Sequence, residues 1–339
     1  WLYSLIMNCR NGLYRFGVLK RHVYQYPVIG VGNLRLGGTG KTPMIELLIT
    51  RLQKHTSLAV LSRGYGRKSK GFQYVEVDMD SELVGDEPSQ IKSNFPKVLV
   101  AVDANRVSGI QKIQSEHPEI QTILLDDVYQ HLSVKPNLLI LLTAYDHLYV
   151  DDYVLPAGRL RESKSGAVRA DIIVVTKCPE SLTPLGKRLI KDRLVPQPFQ
   201  SVFFATEAYS QPYAISDKSI LLDKSLIKTI VLITGIASAK KLKDYLERSF
   251  SAVNHIEFGD HHWFNTADLD ELSSGFKKLD RNSSAIVTTE KDAQRLSLLT
   301  KDEKYSDLPI FALPVQTSFF DEDERAFNLK LNEFVRSFA

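Results

Sequence analysis

The chain has 339 residues, 43% of them hydrophobic and 24% charged, with a formal net charge of +3. This composition excludes a disordered or collagen-like chain, and the charge is too slight to argue by itself for a nucleic-acid partner. Cys9 and Cys178 are the only cysteines, which excludes a disulfide scaffold, and no apolar run reaches the ~18 residues of a membrane-spanning helix.

The length exceeds one ordinary core and predicts two domains. The chain opens on Trp1 rather than Met, so the natural start is expected upstream. Residues 1–22 mix Trp1, Leu2, Leu5, Ile6, Leu13, Tyr14, Phe16, Val18 and Leu19 with Arg10, Arg15, Lys20, Arg21 and His22. That pattern suits a helix lying at a bilayer surface, and equally a surface helix packed on its own domain.

Val28, Ile29 and Val31 form a short strand-type run that breaks at Gly32-Asn33. The loop Arg35-Leu36-Gly37-Gly38-Thr39-Gly40-Lys41-Thr42 follows, and Pro43 opens a segment with apolar residues at helical spacing: Met44, Ile45, Leu47, Leu48, Ile49 and Leu52. Strand, glycine loop and helix is the context of a phosphate-binding P-loop. Its glycines turn N–H groups toward an anion, and the helix N-terminus adds partial positive charge. Lys41 is then expected to reach the β and γ phosphates and Thr42 to hold Mg²⁺. Arg35 stands where the usual pattern has its first glycine, with Gly37 and Gly38 supplying the flexibility instead.

A second strand, Leu58 to Leu61, ends in Ser62-Arg63-Gly64-Tyr65-Gly66-Arg67, where open α/β sheets bind ligands. Val84-Gly85-Asp86-Glu87-Pro88 places two carboxylates in a turn before a helix, where helix capping alone accounts for them. Val98 to Val102 is a third strand, with Asn105 and Arg106 beginning the next helix. The fourth, Thr122 to Leu125, ends in Asp126-Asp127-Val128-Tyr129-Gln130-His131, a Walker-B arrangement whose carboxylate would hold Mg²⁺ on the phosphates. His131 has no zinc partners at the required spacing and is assigned a hydrogen-bonding role.

Leu138 to Leu142 and Ile172 to Val175 are continuous apolar strands, as expected when helices cover both faces of a parallel sheet. Between them lies the Pro/Gly-punctuated loop Leu155 to Glu162. Thr176-Lys177-Cys178-Pro179 is like the start of a guanine-reading loop without its aspartate, which argues against a GTPase. Around 201–227 the pattern turns irregular and reads as a crossing between domains. A second α/β pattern follows, with strands at Thr229 to Ile233, His255 to Phe258, Ala285 to Thr288 and Ile310 to Leu313 and a last helix from about Asp321. Within it, Asp260-His261-His262 suggests a carboxylate orienting an imidazole, and Thr289-Glu290-Lys291-Asp292 reads as a helix cap. The expected organisation is a helix at 1–22, a P-loop domain at 23–200, a linker at 201–227 and a smaller α/β domain at 228–339. The fold class is α/β: a P-loop NTPase-like, mostly parallel sheet with helices on both faces, plus the smaller α/β domain.

Taken together, these blocks resemble the tetraacyldisaccharide 4′-kinase family of lipid A biosynthesis. The resemblance rests on Val31-Gly32-Asn33 through Pro43, Leu61 to Arg67, Gly85 to Pro88, Asp126-Asp127, Gln130-His131, Leu155 to Gly158, Leu160 to Glu162, Asp260 to His262 and Thr289 to Asp292, in the family's order. It implies ATP and Mg²⁺ and transfer of the γ-phosphoryl to the 4′-hydroxyl of an acylated glucosamine disaccharide 1-phosphate. It also implies attachment to the cytoplasmic face of the Gram-negative inner membrane through the N-terminal helix. By the same resemblance Asp86 is the catalytic base and His261 its partner, while Thr42, Asp126 and Asp127 serve the metal. Arg63, Arg67, Arg106 and Arg161 become candidates for phosphate neutralisation, and Gln130, His131 and Glu162 join the nucleotide-site set. The family usually has a small residue at Arg35 and glycine at Val128. Two other classes compete: a P-loop ATPase of the partitioning type, which carries a lysine where this chain has Leu36, and a nucleotide-sensing protein without chemistry.

Overall fold

The computed structural model describes residues 2–260 and 262–338. In chain order the strands are β1 (Val28–Asn33), β2 (Leu58–Ser62), β3 (Gln73–Tyr74), β4 (Leu99–Val102), β5 (Thr122–Leu125), β6 (Leu138–Ala144) and β7 (Ile172–Thr176). They continue as β8 (Ser201–Tyr209), β9 (Tyr213–Ala214), β10 (Thr229–Thr234), β11 (Ala252–Glu257), β12 (Ser284–Thr289), β13 (Ile310–Leu313) and β14 (Val315–Phe319). The helices are α1 (Leu2–Arg15), α2 (Lys41–Leu52), α3 (Ser81–Val84), α4 (Asp86–Asn94) and α5 (Arg106–Glu116). After them come α6 (Pro184–Leu194), α7 (Lys240–Ser249), α8 (Thr266–Phe276), α9 (Glu290–Leu296) and α10 (Asp321–Arg336).

The chain divides into two compact units, one of residues 1–77, 91–208 and 316–339, the other of 78–90 and 209–315. The first holds a nine-stranded sheet in the order β14-β8-β7-β6-β1-β5-β2-β4-β3. β1 runs parallel to both β5 and β6, so the strand order reverses beside it and the loops after β1 and β5 open at one crevice. Every residue of β1, β2, β5, β6 and β7 is buried. That is why these strands read as unbroken Val/Ile/Leu runs rather than alternating ones. Gly32 is required by close approach, since a Cβ there would sit 2.7 Å from the Cβ of Tyr129.

The second unit carries the sheet β11-β10-β12-β13-β9, parallel except for the short edge pair β13 and β9. Two apolar clusters cover its faces, one around Ile233, Phe276 and Leu296, the other around Leu232, Leu246 and Val287.

Four boundaries differ from the sequence expectation. The segment 201–227 is not a free crossing: β8 belongs to the first sheet and β9 to the second. Its prolines signalled irregularity, but the run Val202 to Ala205 is buried and carries a strand. Helix α10 belongs to the first unit, where Phe327 meets Phe203 edge-on at 5.6 Å between ring centroids. Residues 78–90, expected inside the P-loop domain, belong to the second unit. The N-terminal helix ends at Arg15, short of the expected 22.

Candidate active site

The site of the first unit is built on the C-terminal ends of β1 and β5. The loop after β1 closes on Gly40, whose left-handed backbone (φ 82°) aims the chain into α2 and puts Lys41 and Thr42 in its first turn. Three bonds brace the loop. Asn33, fully buried, donates from Nδ2 to Thr39 Oγ1 at 2.7 Å, and the Thr176 hydroxyl donates to the Thr39 carbonyl at 2.9 Å. The Leu36 N–H donates to the Arg159 carbonyl at 2.8 Å. Gly37 is also left-handed (φ 111°), and Gly38 lies beside the Lys177 ammonium.

Asp126 and Asp127 follow β5. Asp126 is buried and accepts a hydrogen bond from Ser62 Oγ at 2.9 Å. Asp127 takes a left-handed conformation (φ 47°) and is gripped by both terminal nitrogens of Arg161, at 2.7 and 3.0 Å. The Lys41 ammonium lies 3.7 Å from the same carboxylate. Burial alone would raise the Asp127 carboxyl, but Lys41, the Arg161 hydrogen bonds and charge, and Arg106 together hold it well below the usual carboxylate range. Arg161 also donates to the carbonyl and side chain of Asn33, closing a ring from β1 through Arg161 to the β5 loop.

Arg106 is 1% exposed and donates to the carbonyls of Asp103 and Asp126, so it braces the aspartate loop from beneath. Burial pulls its guanidinium down to about 10, against the opposing charges of Asp126 and Asp127. His131 is pushed down to about 3 by burial, with Arg106 and Arg63 adding to the effect, so its imidazole is neutral at physiological pH.

The remaining predicted residues take varied places. Arg63 is exposed. Arg67 turns back on its own loop, donating to Ser69 Oγ and the Gly71 carbonyl. Arg35 forms an ion pair with Asp152 at 2.7 Å, directing its cation to the loop before Leu155. Glu162 is 1% exposed, and its two oxygens receive Asn11, Gln130 and Arg169. Gln130 also donates to the Asn33 carbonyl at 2.9 Å. Gln130 and Glu162 are thus structural keystones of the loops. They also receive helix α1: Arg10 donates to the Gln130 carbonyl, Asn11 to Glu162, and Tyr3 to the Arg161 carbonyl.

In the second unit Asp86 starts α4, is buried, and binds Nη2 of Arg295. Arg295, 1% exposed, also reaches Asp292 at 3.2 Å and the His262 carbonyl at 3.1 Å, with its guanidinium 5.7 Å from the Trp263 ring centroid. Around it α4 docks on α9 through Glu87 to Lys291, Ser89 to Gln294 and Gln90 to Glu290. Asp292 also accepts from the Gly235 N–H and the Thr289 hydroxyl, so the capping reading of that Thr and Asp holds. His261 lies outside the described residues; His262 bonds Asp268 at 2.9 Å and stacks on Phe258.

Arg295 is the residue that reading the sequence missed. Its position three residues after Asp292 on one helix face was the available signal. Asn33 stands in the sequence as the end of a strand and in the first block of the family resemblance, and nothing local marks its link to Arg161.

A nine-stranded parallel-type sheet with a glycine loop entering a helix at the central strand, a lysine in that turn and paired aspartates after the next strand defines a P-loop phosphotransferase fold. The model of the family "Tetraacyldisaccharide-1-P 4′-kinase" (LpxK) matches residues 1–336. The chain belongs to that family. A Tetraacyldisaccharide 4′-kinase of Flavobacterium johnsoniae is 42% identical over 335 residues, covering 99% of this chain and 95% of the relative. The one from Phocaeicola vulgatus is 39% identical, covering 99% and 93%. The crystal structure of LpxK from Aquifex aeolicus in complex with ATP superposes with a TM-score of 0.73 at 26% identity, over 97% of this chain and 95% of that one. These matches set aside the partitioning-type ATPase.

Proposed function

We propose that this protein transfers the γ-phosphoryl group of ATP to the 4′-hydroxyl of a tetraacylated glucosamine disaccharide 1-phosphate, leaving ADP and a 4′-phosphate. The observation that carries this reading is the closed set Asn33, Arg161, Asp127 and Lys41 at the central strand of a chain of this family.

Phosphoryl transfer passes through a loose transition state, so the protein's work is alignment and charge neutralisation. Lys41 and the loop N–H groups neutralise the β and γ phosphates, with Thr39 held in place by Asn33 and Thr176. Arg106 and Arg161 hold the aspartate loop in register for the nucleotide. The oxygen donors Thr42, Asp126 and Asp127 match the hard-ligand preference of Mg²⁺, which when bound would offset charge on the phosphates. Asp86 accepts the proton of the acceptor hydroxyl, oriented by Arg295, and His261 assists it. A carboxylate is a weak base, so its value lies in orientation and in taking the proton late.

The exposed apolar residues Leu5, Ile6, Leu13 and Phe16 on and just after α1 support attachment to the cytoplasmic face of the inner membrane, where the acylated substrate resides. Among the described residues no helix is long and apolar enough to cross a membrane; the attachment in this reading is peripheral or monotopic.

The test is transfer of labelled γ-phosphate with and without purified tetraacyldisaccharide 1-phosphate. Lipid-dependent formation of a 4′-phosphate is expected. ATP hydrolysis indifferent to the lipid, or nucleotide binding without turnover, would refute the reading.

A further inference from the structure

A cleft of about 610 Å³ opens in the first unit around the segments that lead into β6 and β7, away from the phosphate-binding loop that follows β1. Arg21, Lys135 and Arg169 line it beside a single carboxylate, Asp171. Its apolar wall includes Val23, Val134, Leu139, Phe334 and Phe338.

The charges do not balance inside the cleft. Arg169 is committed to Glu162 at 2.8 Å and lies over the Tyr129 ring. Asp171 accepts from the Leu139 N–H at 2.7 Å, and Lys330 and Lys135 both act on it. Among the described residues the Arg21 guanidinium donates no hydrogen bond and makes no ion pair, and its Nε is buried without an acceptor. The Tyr14 ring lies 5.9 Å from it, and the like charge of Arg169 acts on it. A partly buried cation facing another cation is costly unless an anion joins them.

The apolar side points to the kind of anion. Phe16, Val18 and Val23 are strongly exposed and run from the end of α1 to the rim of the cleft, and Val23 is itself part of the lining. Apolar residues exposed in series beside an unpaired arginine suit a group whose charge adjoins hydrocarbon. We propose that this cleft binds one acidic membrane phospholipid, with its phosphate held by Arg21 and Lys135 and the first carbons of its acyl chains against Val23, Val134 and the two phenylalanines. The lipid would fix how the first unit rests on the bilayer, which a purely apolar helix face leaves undefined. This inference does not depend on the kinase reading.

The experiment titrates the full chain with dihexanoyl-phosphatidylglycerol below its micellar concentration, read by calorimetry. The comparison probes are dihexanoyl-phosphatidylcholine, inorganic phosphate and the tetraacyldisaccharide 1-phosphate. Saturable binding of the glycerol lipid at one site per chain is expected, with the choline lipid and phosphate each at least ten-fold weaker. Arg21→Gln with Lys135→Gln should weaken it at least ten-fold, while Lys240→Gln with Lys241→Gln, which removes equal charge from α7, should not. Lys135 is exposed, so Lys135→Gln alone retains the fold and should give a smaller loss in the same direction. Equal binding of the choline lipid, equal losses in both charge-matched pairs, or no loss in either would overturn the proposal. So would phosphate binding as tightly as the lipid, which marks a free-anion site, or competition by the disaccharide with a matching rise in its KM, which assigns the cleft to the substrate.

Discussion

Asp127 in the first unit and Asp86 in the second are both carboxylates gripped by an arginine, yet their surroundings carry opposite charge. Around Asp127 stand Lys41, Arg106 and Arg161, so cations outnumber the aspartate pair 126 and 127. Around Asp86 the order is reversed: Arg295 is shared with Asp292, and Lys291 answers Glu87 while Glu290 accepts from Tyr213. A centre rich in cations suits a polyanion such as a triphosphate. A centre rich in carboxylates, with one cation shared between two of them, suits the reception of a proton. The difference teaches that an Arg–Asp pair has no role of its own; the excess charge around it decides what the pair can serve.

The largest effect expected from breaking this contrast is at Asp86. Asp86→Asn should lower kcat by roughly 10²–10⁴-fold, the usual range for a lost general base, with ATP affinity unchanged in a binding titration. If ATP binding falls in step with turnover, Asp86 belongs with the phosphate cradle and the contrast fails. Lys41→Ala comes next, at about 10²–10³-fold in kcat together with weaker ATP binding; an unaltered ATP titration would remove Lys41 from the phosphates.

Arg295 sharpens the comparison further. Arg295→Met should cost about 10²-fold in kcat through misplacement of Asp86, and Arg295→Lys should recover part of it. Both variants should leave the KM for ATP near its starting value. A shifted acid limb in the pH profile of kcat is the added sign that Arg295 acts through Asp86; a mere drop in folded protein would not move it.

His131 tests the cationic side by pH. Its folded-state pKa of about 3 lies below the ordinary 6.5, so the unfolded chain takes up the proton first as pH falls. Stability is therefore full above about 6.5 and is lost progressively as pH drops from there toward the folded value. His131→Gln should flatten the loss between pH 7 and 5 by on the order of 1–2 kcal/mol in denaturant titrations. An unchanged slope would place the neutral imidazole elsewhere. The smallest effect belongs to Arg35: its pair with Asp152 is partly exposed, and Arg35→Ala should cost no more than about 1 kcal/mol and change the KM for ATP less than about three-fold. A ten-fold rise would instead put its cation on a phosphate.

Much of this molecule was legible in the linear chain because the governing physics is local. Apolar runs of four to six residues bounded by glycine, proline and aspartate become buried parallel strands, and Gly40 before Lys41 sets the turn that starts α2. Those features need only neighbouring residues to be recognised, so the two-sheet α/β architecture and the P-loop followed from the sequence. Long-range closure did not. The Arg295 grip on Asp86 joins residues 209 positions apart, Arg161 reaches Asn33 across 128, and neither separation leaves a periodic trace. The placement of 78–90 in the second unit and α10 in the first was likewise decided by packing, since segments with ordinary local patterns join whichever core can bury their apolar or charged faces. The sequence by itself determined which elements form and where an anion can be cradled; the tertiary structure alone decided which arginine holds which aspartate, because a buried charge is tolerated only where the fold brings its partner.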